Sequence, residues 1–75
     1  MIISQSNHFE SSTLNSSSYD FNKRELFITF KSSITYLYKN VNPKIYEEFI
    51  GSESHGSSFN RLIKSDKNIE CIKIA

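Results

Sequence analysis

Between Glu25 and Tyr38 the chain alternates with a period of two. Leu26, Ile28 and Phe30 stand against Phe27, Thr29 and Lys31, and Ile34, Tyr36 and Tyr38 stand against Thr35, Leu37 and Lys39. These are mostly β-branched and aromatic residues, which suit a pleated, half-buried surface. The pattern predicts a β-hairpin that the remaining chain feeds or covers. Its join falls at Ser32-Ser33, where the missing glycine predicts a loop longer than two residues or an unusual turn.

Upstream, residues 1–10 read as a loose lead-in, with Ile2, Ile3 and Phe9 available to the core. The serine- and asparagine-rich stretch 11–18 favours loop, but Thr13, Leu14 and Tyr19 fit a short edge strand with few anchors. Asp20 to Arg24 reads as a tight connection, because Asp and Asn side chains bond their own backbone and tolerate turn geometry.

Downstream the period changes. Asn42-Pro43 predicts a helix start, with Asn capping free N–H groups and Pro lacking only a donor that has no use there. Val41 and Tyr46 stand at the positions of a hydrophobic staple. Ile45, Tyr46, Phe49 and Ile50 form one apolar stripe, Glu47 and Glu48 face water, and Gly51 closes the helix. A second helix is expected over 54–64, capped by Ser52 or Ser54, with Phe59, Leu62 and Ile63 facing inward. Ser65 to Asn68 is a turn, and the extension 65–75 has room for a short strand at Ile69 to Ile74.

Seventy-five residues allow one domain. Ten aromatic rings, six Phe and four Tyr, supply large pieces of apolar area to so short a chain. The net charge of +1 gives no global basic field, so any contact with nucleic acid must come from local geometry. A single cysteine, Cys71, and no apolar run long enough to span a bilayer predict a reducing, cytoplasmic setting away from membranes.

Several pieces stand in order: Ser11-Ser12-x-Leu14, Tyr19-Asp20, Leu26-x-Ile28-x-Phe30-Lys31-Ser32, Tyr36-Leu37-Tyr38, Val41 with Pro43, Tyr46, Ser54-x-Gly56 and Phe59-Asn60-x-x-Ile63. This set resembles the KTSC domain, over residues 11–64. That family takes its name from a domain at the C-terminus of some lysyl-tRNA synthetases and includes small stand-alone bacterial and phage proteins. The chain departs from the family pattern at Ser18 and Ser33, where the pattern has Gly, and at Asn42, an extra residue before Pro43. The resemblance implies a binding role with RNA as a partner.

Each candidate residue has a functional and a structural reading. Tyr36 and Tyr38 share a strand face and can stack bases, or they pack under the helices with their hydroxyls at the rim. Lys39, Arg61 and Lys64 can meet phosphates, or they belong to scattered solubilising charge. Ser54, His55, Gly56 and Asn60 form a polar cluster that can hold an anion. In the structural reading Ser54 caps the helix, Gly56 relieves crowding against the sheet and Asn60 ties the helix to a loop.

Catalysis has little support. There is no Gly-x-Ser-x-Gly elbow and no ligand spacing for a metal, and only Gly51 and Gly56 are available for a phosphate loop. The sequence therefore predicts an α+β domain: a three-stranded antiparallel meander, with room for a fourth strand, and two helices packed on one face. Leu26, Ile28, Phe30, Ile45, Phe49, Ile50, Phe59, Leu62 and Ile63 are its expected core. It reads as a binding module with no enzyme activity, cofactor or metal, contacting RNA or, alternatively, docking on a larger protein. Either outer strand is open to dimer formation.

Overall fold

Alternating residues can bury one face of a sheet only if helices cover that face, and the computed structural model, which describes residues 4–9 and 11–74, has this form. Five strands, β1 (Ser4–His8), β2 (Leu14–Asp20), β3 (Glu25–Phe30), β4 (Thr35–Lys39) and β5 (Glu70–Lys73), make an antiparallel sheet in the order β1-β2-β3-β4-β5. Helix α1 spans Pro43–Ile50. A short helix α2 (His55–Ser58) runs directly into a π-helix over Phe59–Lys64.

The expected meander of three or four strands is thus one of five. The lead-in contains β1, which pairs Ser4 with Asp20 through His8 with Ser16. This makes β2 an interior strand and not the expected edge. Ile2 and Ile3 lie outside the described residues, while Phe9 is buried as anticipated.

The predicted hairpin pairs Glu25 with Lys39 through Thr29 with Thr35. Its loop is longer than two residues: the Phe30 N–H donates to the Ile34 carbonyl and the Ser33 N–H to the Phe30 carbonyl, both at 2.9 Å. Ser33 closes the loop in the left-handed region (φ 69°), the place that a glycine fills without steric cost. The connection before the hairpin is held by Asp20, whose Oδ1 accepts from the N–H groups of Asn22 and Lys23 at 2.9 and 3.1 Å.

Asn42 caps α1 as predicted, its Oδ1 accepting from the Lys44 N–H at 2.8 Å. The staple residues Val41 and Tyr46 are both buried. Gly51 closes the helix as expected, staying right-handed (φ −79°) and donating to the Glu47 carbonyl. Neither Ser52 nor Ser54 caps α2 with its side chain; the Ser54 carbonyl accepts from the Ser58 N–H instead.

The sheet face under the helices carries Leu14, Ser17, Tyr19, Leu26, Ile28, Phe30, Tyr36 and Tyr38, which the register brings opposite one another. Of the expected core, Leu26, Ile28, Phe49, Phe59 and Ile63 are buried, while Phe30, Ile45, Ile50 and Leu62 are half-buried against them. Phe9, Leu14, Tyr19, Tyr38, Val41 and Tyr46 complete the core. Leu62 gives way to Ile63 because i→i+5 bonding widens the turn, and a residue four along then lies more nearly above Phe59.

Candidate binding cleft

Burying a ring on a small sheet requires neighbours that accept it, and aromatic contacts supply them here. Phe59 meets Phe30 edge-on at 5.6 Å and Tyr38 at 5.3 Å, and Phe30 meets Tyr36 at 5.6 Å. Each such pair contributes roughly 0.5–1.5 kcal/mol beyond its burial. These rings pin the π-helix at one side of the sheet face and leave a cleft of about 870 Å³ beside it. Its walls are the turn into β2, the β3–β4 face, the α2–π-helix segment and Ile69 with Cys71.

The cleft unites two groups that the sequence left apart. Tyr36 and Tyr38 line one wall, and Ser54, His55, Gly56, Asn60 and Lys64 line the other. Their roles differ. Tyr38 is buried, and that burial, followed by hydrogen bonding with the Cys71 thiol, pushes its phenol well above the usual range. Tyr36 is half-buried, with its ring 6.4 Å from that of Tyr38. Of the two tyrosines, Tyr36 alone offers an accessible ring, so the pair is not a two-ring platform.

His55 turns inward. Its ring lies 4.6 Å from Phe9 and 5.8 Å from Phe49, and Nε2 is 3.0 Å from the Ile50 carbonyl. A carbonyl only accepts, so Nε2 carries the hydrogen. The ring is thereby committed to joining α1 to α2. Gly56 does not relieve crowding: a Cβ there would meet only the Ser11 Oγ at 3.8 Å. Ser11 is itself engaged, its Oγ accepting from the Thr13 and Leu14 N–H groups at 3.1 and 3.2 Å. Asn60 is exposed at the rim, and its carbonyl, not its side chain, ties the helix to Ser65.

The basic residues sort by face. Lys39 is on the far side of the sheet, opposite Glu25 and Glu70 in the register, so it cannot assist Tyr36. Strand alternation already implies this, since 39 differs in parity from 36 and 38. Arg61 is exposed on the π-helix but outside the cleft lining. Two lysines take their places. Lys73 of β5 stands directly across from Tyr36, and Lys31 lines a second, shallower depression of about 350 Å³ that also includes Tyr36. The tail's strand pairing was the missing signal for Lys73.

Among the described residues no helix covers the far sheet face. There the register aligns Ser18, Phe27, Leu37 and Ile72 in one row. Ile72 and Ile74 are the exposed large apolar residues among those described, at 37% and 50%. Among the described residues no helix is long and apolar enough to cross a membrane.

A five-stranded meander with a ring-lined cleft under a two-helix cap defines a small α+β module. Residues 10–66 match the family model of the KTSC domain, and the chain belongs to that family. The crystal structure of a KTSC domain protein from Yersinia pestis superposes with a TM-score of 0.86 at 32% identity, over 96% of this chain and 99% of that one. A protein from Tsukamurella paurometabola is 33% identical over 55 residues, 73% of this chain and 82% of the relative.

Proposed function

We propose that this domain is a non-catalytic binding module that takes single-stranded RNA in the cleft. The observation that carries this reading is Tyr36, a half-buried ring in the wall of a cleft that Lys64 also lines, with Lys31 in the adjoining depression and Lys73 across the strand pair. An unpaired base stacks on the ring, the exposed Asn60 amide meets the base edge, and the lysines meet phosphates. Tyr38, buried beside Tyr36 on the same strand face, backs the cleft wall and is not a stacking ring.

Anisotropy titration of generic single-stranded RNA at low ionic strength tests this. Tyr36→Ala is expected to weaken binding by about 1–3 kcal/mol, roughly 5- to 150-fold, while Tyr36→Phe retains it. Lys64→Ala should reduce the salt slope by about 0.7. Wild-type protein that binds no RNA at low salt would falsify the reading.

A second reading, docking on a larger protein, is favoured by a different observation. β5 is an outer strand that carries exposed Ile72 and is followed by exposed Ile74. A pull-down repeated with nuclease separates the two: a protein partner that survives nuclease supports docking, and RNA in the untreated eluate supports the cleft.

A further inference from the structure

Tyr36 belongs to two hollows at once. It lines both the cleft of about 870 Å³ and the adjoining depression of about 350 Å³; Ser12, Thr13 and Phe30 also line both. The second hollow adds Ile34 as an apolar floor and Lys31 as a cation. Lys64 lines the first, and Lys73 stands across the strand pair from Tyr36 itself. Each hollow thus has one lysine in its lining, and Tyr36 belongs to both. Among the residues lining the two hollows, Glu53 is the carboxylate that opposes them.

The geometry points to a site for two consecutive unpaired nucleotides, one base in the cleft and the next in the shallow depression. This deepens the RNA reading above and rests on it. The two bases share the ring of Tyr36, and the lysines of the two hollows meet the phosphates on either side of the step. A mononucleotide fills only one hollow and gains one stacking contact. A dinucleotide gains a second, roughly 5- to 150-fold in affinity, together with the linking charge. Beyond two nucleotides the strand leaves both hollows and adds little.

The test is calorimetric titration of the full chain with single-stranded oligonucleotides of one, two, three and six nucleotides. Affinity is expected to rise at least about fivefold from one to two nucleotides and then to level off. Lys31→Ala, at an exposed loop position, should weaken the dinucleotide by a larger factor than the mononucleotide, with circular dichroism confirming the fold. Equal affinity for one and two nucleotides, or a steady rise through six, overturns the two-base site while sparing the RNA reading. Absence of binding at every length overturns both, as does capture of an aromatic peptide by the cleft in place of any oligonucleotide.

Discussion

Tyr19 and Tyr46 lie face to face, their ring centroids 4.2 Å apart and their planes 10° from parallel. One ring comes from β2 and the other from α1, so this stack fastens the helix to the sheet. Above it the Tyr19 hydroxyl donates to the Val41 carbonyl at 2.5 Å, immediately before the Asn42 cap. The Asn7 amide donates to the Tyr46 hydroxyl at 2.8 Å, drawing β1 into the same assembly.

Tyr19→Phe keeps the stack and removes one donor, leaving the Val41 carbonyl buried without its partner. The expected loss is about 1–3 kcal/mol, read from the urea midpoint. A variant as stable as the wild type would mean that water replaces the bond.

Stability is expected to fall at alkaline pH. Burial is the leading cause that raises the phenols of Tyr19, Tyr38 and Tyr46 above their ordinary value. Between about pH 10 and the raised values the folded state holds protons that the unfolded chain has released. Their contribution is therefore complete below about pH 10 and declines as pH rises further, by up to about 1.4 kcal/mol per pH unit for each group. Urea midpoints measured from about pH 8 to pH 11 show this slope, and Tyr46→Phe should reduce it. Identical slopes for the two proteins would refute the assignment to Tyr46.

Ser33→Gly should stabilise the chain. The left-handed backbone costs a side-chain-bearing residue about 1–2 kcal/mol, partly offset by glycine's freedom in the unfolded state. A net gain of about 0.5–1 kcal/mol is expected in thermal or urea unfolding. A loss would show that the serine side chain makes a favourable contact.

Ser17→Ala should also stabilise. The Ser17 hydroxyl is buried on the helix-covered sheet face with no hydrogen-bond partner among the described residues. Such a group costs about 1–3 kcal/mol. Differential unfolding of the two proteins decides the matter, and a destabilised alanine variant would argue for a partner at that hydroxyl.

The sequence revealed elements where side chains carry the periodicity. Leu26, Ile28, Tyr36 and Tyr38 announced the hairpin, and Asn42, Pro43 and the Val41–Tyr46 staple announced α1. β1 went unread because Ser-Gln-Ser-Asn-His has no apolar alternation; it is joined by strand pairing to β2 and by the Asn7 amide to Tyr46. Tyr19 was hidden among serines, although it anchors the core. The π-helix changes hydrogen-bond spacing without changing residue type, so Phe59, Leu62 and Ile63 read as an ordinary helical face. At the cleft, Tyr36, Asn60 and Lys64 were legible singly, but their meeting depends on how the π-helix lies over the sheet.

In the meander each strand lies beside its neighbour in sequence, which places β1 and β5 on opposite borders of the sheet. Four inter-strand steps separate them, about 19 Å. Joining the ends to make a circular permutant therefore needs a bridge of at least about six extended residues. Fusion partners grafted before β1 and after β5 would emerge on opposite flanks, well spaced from each other, with the ring-lined hollow open between them.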